Sequence, residues 1–146
     1  MSMSDHLKEG KIVPEIVGEM ISADESRGIN GAVAVFLGQV RADQVDDKSV
    51  TGIEYSAYTG MIDPVVGEII GQLKQSHPEV ISVKILHSTG WVAAGEHSMV
   101  VIVTSVHRKQ AFAALEESVN LIKERLPVWK KEFFSDGSFR WVEPGH

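Results

Sequence analysis

Apolar residues mark four strands along the chain. Residues 32–37 and 99–103 are unbroken apolar runs rich in branched side chains, which is typical of buried strands. Residues 50–58 and 80–87 alternate apolar and polar positions, which predicts strands with one buried face. One face of the last segment consists of Ile81, Val83, Ile85 and His87.

Three segments carry apolar residues at helical spacing. Residues 12–22 predict a short helix or a turn, and residues 61–75 and 109–126 predict helices. Asp63 and Pro64 predict the start of the second helix, because Asp accepts hydrogen bonds from a first turn and Pro fits there. The third segment has the clearest stripe, with steps of three and four residues that predict a core-facing surface. The stripe consists of Phe112, Leu115, Val119, Ile122 and Leu126.

The end of the chain predicts a β-hairpin. Residues 128–134 and 138–142 have strand character and flank Asp136-Gly137, a dipeptide that favours tight turns between antiparallel strands. From residue 32 onwards the predicted order is therefore strand, strand, helix, strand, strand, helix and hairpin. Short connections of this kind favour an α+β fold with a mainly antiparallel or mixed sheet.

Composition is that of an ordinary globular protein, since 43% of the 146 residues are hydrophobic and 23% are charged. A chain of this length buries enough surface for one core without disulfides or metal, so we expect a single domain over residues 1–146. Residues 1–10 are polar and are expected to be flexible. With 14 Lys and Arg against 20 Asp and Glu, the formal net charge is −6.

Charge and residue types exclude several classes of function. The chain has no cysteine, which excludes a disulfide scaffold, a cysteine-ligated metal site and a cysteine nucleophile. An acidic chain without a block of Lys and Arg is not expected to bind nucleic acid in general. No apolar run approaches the roughly 20 residues of a membrane helix, and the charged N-terminus lacks the apolar region of a signal peptide. We therefore expect a cytoplasmic protein without a membrane partner.

Common catalytic and cofactor motifs are absent as well. The sequence has no phosphate-binding P-loop, no dinucleotide-binding glycine motif, no zinc-protease helix and no nucleophile elbow. The six histidines have no acidic companions at metal-ligand spacing, so no metal site is expected.

Residues 104–108 lie where an apolar strand leads into a helix. Backbone N–H groups and the helix dipole attract anions at such a helix start. His107 and Arg108 would strengthen that attraction, and Arg can hold a phosphate with two parallel hydrogen bonds. The alternative is that Ser105 caps the helix and Arg108 is a solvated surface charge.

Basic residues cluster around the end of the third helix. Lys123 lies beside the apolar stripe in the last turn, where it can either extend past the core to solvent or point into a cleft. Lys130 and Lys131 follow on a predicted strand, whose successive side chains face opposite sides, so one of them can share a pocket with Lys123. The alternative is that these lysines only complement the helix dipole. Arg41 ends a predicted strand and Arg140 lies on the hairpin, both common positions for binding groups.

Four motifs occur in the order found in one protein family. Residues 36–41 resemble the family's F-x-G-x-V-R strand end, and residues 53–61 resemble its L-E-Y-x-A-Y-x-x-M segment. Residues 104–108 are similar to its S-x-H-R turn, and residues 122–132 are similar to its L-K-x-x-x-P-x-W-K-K-E ending. On these motifs, which span most of residues 31–141, the chain resembles the MoaE family, the large catalytic subunits of molybdopterin synthase.

The resemblance implies a sulfur-transfer enzyme of molybdenum cofactor biosynthesis with an α/β hammerhead fold. Members of the family install the dithiolene of molybdopterin on cyclic pyranopterin monophosphate, also called precursor Z. The sulfur arrives as a thiocarboxylate on the C-terminal Gly-Gly of a small ubiquitin-like subunit of the MoaD type. Two large subunits form a homodimer with one small subunit on each, a heterotetramer. A chain without cysteine fits this scheme, because its sulfur has to come from a partner or a small donor.

The resemblance also implies roles for particular residues. Lys123 matches the lysine at the reaction centre, next to the partner's C-terminus, and Lys130 matches a second pocket lysine, so both are predicted to be catalytic. Four further residues are predicted to bind the substrate or its phosphate, namely Arg41, His107, Arg108 and Arg140. Neither a metal nor a cofactor is implied. The competing interpretation is a non-enzymatic α+β module that binds an anionic metabolite or a partner's C-terminal tail.

Residues 128–134 are expected to wall the channel for the partner's tail, because they carry Trp129, Phe133 and Phe134 beside Lys130. The alternative is that these aromatic side chains fill the core or a dimer interface.

Overall fold

Three helices and eight strands make up the part of the chain that the structure describes, residues 4–26 and 28–143 of a computed structural model. The strands are β1 (Leu7–Glu9), β2 (Ala32–Gln39), β3 (Gln44–Val45), β4 (Lys48–Ala57), β5 (Val80–Ala93), β6 (His97–Ser105), β7 (Val128–Phe134) and β8 (Phe139–Trp141). The helices are α1 (Pro14–Ser22), α2 (Thr59–Ser76) and α3 (Arg108–Arg125). None of these three helices is long and apolar enough to cross a bilayer.

The described strands all belong to one sheet. Its order is β2-β6-β5-β4-β7-β8, with β1 paired to β5 and β3 paired to β4. Every pair is antiparallel except β1 with β5. The predicted α+β class with a mainly antiparallel sheet is confirmed, and so is the C-terminal hairpin of β7 and β8. In the described residues, β2 lies at one end of the sheet and pairs on one side only, with β6.

Strand β5 changes its partner halfway along its length. The part up to His87 pairs with β6, and the part from Gly90 onwards pairs with β4. Gly90 has a φ of 75°, a left-handed conformation that glycine adopts without the steric cost of a Cβ atom. His87 lies just before the point at which β5 changes its partner, and it is also paired with Leu7 of β1. This part of the sheet forms the floor of the candidate site.

The main core lies between one face of the sheet and helices α2 and α3. From α2 it receives Ile62, Val66, Ile69 and Leu73, which are fully buried and recur at helical spacing. Helix α1 packs on a smaller cluster on the other face of the sheet. The buried members of that cluster are Ile12, Leu86, Val100 and Ile102.

Truncating one core residue tests this packing. We expect Ile69→Ala to lower the free energy of unfolding by about 2–5 kcal/mol, because Ile69 is 0% exposed and its loss leaves a cavity under α2. Denaturation in urea measures the change. The neighbouring Glu68→Ala, at an exposed position, is the control and should cost less than about 0.5 kcal/mol. Equal losses at both positions would contradict the described core.

Helix α3 is rotated by about one residue from the predicted orientation. Phe112, predicted to lie in the core, is 65% exposed, while Leu115 and Val119 are only partly buried. The buried face instead begins with small side chains and consists of Ala111, Ala114, Ser118, Leu121 and Ile122. The physical reason is that small side chains let a helix approach a sheet closely, whereas an apolar periodicity alone favours the largest side chains.

The N-terminal segment includes a short strand. Residues 1–3 lie outside the described residues, but Leu7–Glu9 form β1, which runs parallel to β5. Leu7 is buried, and the His6 carbonyl accepts a hydrogen bond from the His87 N–H at 2.8 Å. The polar composition of this segment therefore did not predict strand β1, which pairs with a distant strand, while the expected flexibility stays a prediction.

Helix α2 starts earlier than Asp63 and Pro64 predict. It begins at Thr59, so Pro64 lies inside the helix rather than in its first turn. The Asp63 carboxylate accepts a hydrogen bond from the Ser4 hydroxyl instead of capping the helix. The earlier start is favoured because it brings Ile62 into the core one turn before Val66.

Candidate active site

A cleft of about 870 Å³ opens at the C-terminal end of α3. The helix ends just before Pro127, which cannot continue it, and the chain then turns directly into β7. The last turn of α3, strands β7 and β8, and the end of β2 with the residues after it form the walls. Four of the six predicted site residues line this one cleft, namely Arg41, Lys123, Lys130 and Arg140.

The two strand lysines face opposite sides of the sheet. Lys130 is paired across the sheet with Tyr55 of β4, and both residues line the cleft. The Lys131 ammonium lies on the other face, 3.9 Å from the centre of the Phe139 ring. The prediction that one of these two lysines shares a pocket with Lys123 is therefore confirmed.

The surroundings of Lys130 lower the pKa of its ammonium group below the ordinary value. Burial is the largest cause and the positive charge of Lys123 is the second, while Glu132 acts in the opposite direction. Lys123 itself is exposed on the cleft wall. The two amines therefore influence each other electrostatically, and a lysine whose pKa is lowered exchanges its proton more readily near neutral pH.

The two cleft arginines predicted to bind the substrate, Arg41 and Arg140, have acidic neighbours. The Arg140 Nε donates to the Glu132 Oε1 at 2.7 Å, and the Arg41 Nη2 lies 3.2 Å from the Asp43 Oδ2. Glu132 is the more buried of the two acidic partners, so its pair with Arg140 fixes the position of that guanidinium within the cleft wall. Arg41 is largely exposed and keeps most of its donors towards solvent.

His107 and Arg108 lie at the opposite end of α3. Lys123 follows Arg108 by fifteen residues of helix, which is about 22 Å along the axis. The His107 Nδ1 lies 3.0 Å from the Glu79 Oε1, and neither residue lines the cleft. Within one chain the predicted convergence of His107, Arg108 and Arg41 is therefore not formed, because a straight helix separates its two ends.

The alternative role given to Ser105 is also wrong. Ser105 is buried at the end of β6, and its hydroxyl donates to the Glu79 carbonyl at 3.2 Å. The residue before the first turn of α3 is His107, which makes no capping hydrogen bond with its side chain. The N–H groups at this helix start are therefore not satisfied by a capping side chain in the described structure.

The floor of the cleft contains residues to which the sequence analysis gave no role. His87 is buried, and its ring meets the Tyr55 ring edge to face with centroids 5.1 Å apart. The Tyr55 hydroxyl donates to the Ser98 Oγ at 3.0 Å, and burial raises the pKa of Tyr55. One signal was present in the sequence, because His87 falls on the same face of its strand as three apolar residues.

The side chains of the cleft favour anions rather than a metal ion. In residues 4–26 and 28–143, no group of three or more His, Asp or Glu side chains is arranged to hold a metal. Two lysines and three arginines line the cleft, against four carboxylates, namely Asp43, Glu124, Glu132 and Glu143. Such a group of cations in a recess attracts phosphate and carboxylate-like groups, even though the whole chain carries a net charge of −6.

Aromatic side chains cover the face of the hairpin that points away from Lys130. Phe133 packs against Trp91 and Phe139, and Trp141 lies on the same side around Lys131. Trp129 is half exposed and lines the cleft as well. Phe134 was expected to form part of the channel wall for the partner's tail. It is instead buried, so for this residue the alternative of a core position is correct.

Known proteins resemble this chain in sequence and in structure. A family model described as MoaE protein matches residues 8–125. The molybdopterin synthase catalytic subunit of Nostoc sp. is 40% identical over 123 residues, which cover 84% of this chain and 73% of that protein. The crystal structure of molybdopterin synthase from Staphylococcus aureus matches with a TM-score of 0.81 at 30% identity, covering 94% of this chain and 96% of that chain.

A solved protein–protein complex shares the fold at lower identity. It contains subunits 1 and 2 of the molybdopterin-converting factor from Helicobacter pylori. The match has a TM-score of 0.76 at 20% identity and covers 94% of this chain and 88% of that chain.

Proposed function

The chain belongs to the MoaE family, and on this premise we propose that it is the sulfur-transferring subunit that forms molybdopterin. Its substrate is cyclic pyranopterin monophosphate. Its sulfur comes from the thiocarboxylated C-terminus of a small ubiquitin-like subunit. A dithiolene holds two sulfur atoms, so two thiocarboxylates are used for each product, and water returns each tail as a carboxylate. The resemblance that four sequence motifs predict is confirmed at the level of the family.

The observation that carries the proposal is the cationic cleft at the end of α3. Both reactants are anions, because the tail ends in a thiocarboxylate and the pterin carries a phosphate. Lys123 and Lys130 line the same cleft and influence each other electrostatically, and Arg140 is held in the same wall by Glu132. Fixed cations in a partly dry recess stabilise negative charge more strongly than water-exposed ones do.

We assign the residues of the cleft as follows. Lys123 lies next to the thiocarboxylate and stabilises the charge that develops during sulfur transfer. Lys130, with its lowered pKa, exchanges a proton with the reacting pterin. Arg41 and Arg140 bind the phosphate of the substrate. The tail of the small subunit enters past Trp129 and Trp141, which are exposed and line the cleft.

We further propose that a second copy of the chain completes the phosphate site. Strand β2 begins beside Ser105, next to His107 and Arg108, and ends just before Arg41. If β2 pairs antiparallel with β2 of a second copy around a two-fold axis, the start of each strand lies beside the end of the other. His107 and Arg108 of one copy then approach Arg41 of the other.

Exposed apolar side chains support an interface at this end of β2. The apolar residues there that remain accessible in a single chain are Ile29, Val33, Val35, Val106 and Phe112. A group of apolar residues beside an unpaired strand edge is typical of a surface that another protein covers. The expected homodimer would bury both the exposed apolar side chains and the unpaired edge of β2.

Mixing two inactive variants tests the shared site. We expect Lys123→Ala and Arg108→Ala each to be inactive alone. After unfolding and refolding together, random pairing should restore about a quarter of parental turnover, because half of the dimers are mixed and each has one intact site. Molybdopterin formation with the thiocarboxylated small subunit measures the result. A mixture as inactive as its components, although mixed dimers form, would contradict sharing of the site.

Reconstitution distinguishes the enzyme from the non-enzymatic binding module. Purified chain, thiocarboxylated small subunit and precursor Z are combined, and molybdopterin is assayed. The proposal requires multiple turnovers per chain when both other components are in excess, and no product when the chain is omitted. Stoichiometric binding of either component without product would favour the binding module. We propose a cytoplasmic location for the reaction.

A further inference from the structure

The floor of the cleft contains a histidine to which the sulfur-transfer proposal gives no role. His87 is only 5% exposed, yet it lines the same cleft as Lys130. Its Nδ1 lies 2.8 Å from the Ser88 carbonyl oxygen. Because a carbonyl oxygen only accepts hydrogen bonds, Nδ1 carries a hydrogen and the lone pair of the neutral ring is on Nε2.

The ring of His87 stays neutral in this environment. Burial is the main reason, and the nearby positive charge of Lys130 adds to it, so the pKa of His87 falls to about 4. The hydrogen bond to the Ser88 carbonyl opposes both effects but does not cancel them. Near pH 7 the floor therefore adds no positive charge beside Lys130.

Tyr55 connects His87 with Lys130. Tyr55 is the cross-strand partner of Lys130, so both side chains project from the same face of the sheet. Its ring also packs edge to face against His87, and its hydroxyl is held by Ser98. The two rings thus form one rigid surface, fixed by hydrogen bonds at both ends, on the inner side of the cleft.

We propose that His87 is a positioning residue for Lys130: its neutral ring and the Tyr55 ring form a floor that keeps water from the inner side of the Lys130 amine. The role assigned to Lys130 rests on the proposed function, but the floor itself does not. Desolvation disfavours the charged form of an amine, so a dry floor keeps part of Lys130 available as a base. A histidine fits this position because its Nδ1–H also satisfies the Ser88 carbonyl, which phenylalanine cannot do.

Several other charged groups share the cleft with Lys130, and some of them are held by contacts of their own. They are Lys123, Glu124 and Arg125 at the end of α3, Glu132 on β7, Arg140 on β8, Glu143 after it, and Arg41 and Asp43 after β2. Glu132 is engaged by Arg140 and Arg41 is beside Asp43. A substitution at His87 leaves these pairs in place, so its effect on Lys130 can be read separately.

The test measures the protonation of Lys130 without substrate or partner. The parent chain, His87→Ala and His87→Phe are labelled with acetic anhydride over a range of pH, and peptide mass spectrometry follows Lys130 with Lys131 as the internal reference. His87→Ala admits water, so the midpoint of the Lys130 profile should move to higher pH. The fraction of neutral Lys130 at pH 8 should fall by roughly threefold. His87→Phe refills the space with a neutral ring and should keep the parental midpoint.

Two results would overturn the proposal. One is a parental Lys130 midpoint in folded His87→Ala, and the other is the same displacement in both variants, which would indicate a general structural effect. A measurement on the parent chain covers the case in which His87→Ala does not fold. Nitrogen NMR should show the neutral Nδ1–H form of His87 from pH 8 down to pH 5.5, and a ring that is protonated at pH 6 would equally refute a neutral floor. Neither measurement uses the small subunit or the pterin, so failure here is distinct from failure of the sulfur-transfer proposal.

Discussion

Lys123→Ala is expected to lower the rate of molybdopterin formation by about 10²-fold or more while the chain stays folded. Lys123 is exposed in the last turn of α3, so its truncation removes no core packing. It also stands beside Lys130, whose pKa responds to its charge, which places the Lys123 ammonium within electrostatic reach of the reacting groups. Because the interaction strengthens as charge develops, the loss should fall mainly on kcat.

Lys131→Ala is the matched control for this variant. Lys131 has the same side chain and lies one residue from Lys130, but it packs on the aromatic face of the hairpin, away from the cleft. With saturating small subunit, its turnover should stay within about threefold of the parent. Losses of similar size in Lys123→Ala and Lys131→Ala would show that general positive charge, rather than the position of Lys123, supports the reaction.

Local sequence predicts the arrangement of the lysines well. A strand period of two separates Lys130 from Lys131, and the end of α3 at Pro127 places Lys123 near the same strand. These relations depend on residues only a few positions apart. They therefore follow from the geometry of one helix and one strand, and they are formed in the structure as expected.

Contacts between segments that are distant in the chain could not be predicted from the sequence. His87 reaches the cleft because β5 changes partner after it, and Tyr55 meets it from another strand. No local sequence pattern predicts the position of His87 in the cleft or its contact with Tyr55, apart from the occurrence of a histidine on an apolar strand face. The same limit explains Leu7, which is buried only because β1 finds β5 about 80 residues away.

The position of His107 and Arg108 illustrates a different limit. The motif around them is recognisable, but a motif does not say which chain supplies the site. Their distance from Lys123 along α3 is fixed by helix geometry, so no folding of a single chain brings them to the cleft. Their proposed role depends on a second copy. Antiparallel pairing of β2 with β2 of that copy, about a two-fold axis perpendicular to the strands, is the arrangement that the exposed strand edge favours.

Removing the terminal Gly-Gly of the small subunit is expected to abolish sulfur transfer and to leave much of the docking affinity. The cleft is a recess between α3 and the hairpin, which a globular body cannot enter but an extended tail can. Trp129 and Trp141 are exposed at this recess and offer apolar area outside it. Affinity and turnover therefore depend on different parts of the partner, the body and the tail.

Calorimetry and the turnover assay separate these two contributions. The truncated small subunit should bind with a Kd within about tenfold of the complete, unmodified one, since most of the buried area comes from the body. Trp129→Ala in the large subunit should weaken binding of the truncated and the complete small subunit equally, because Trp129 contacts the globular body in both complexes. If the truncated partner supported full turnover, the thiocarboxylate could not be the sulfur donor for this chain. If truncation removed all binding, the tail rather than the body would hold the complex, and the separation of docking from chemistry argued from the cleft would be wrong.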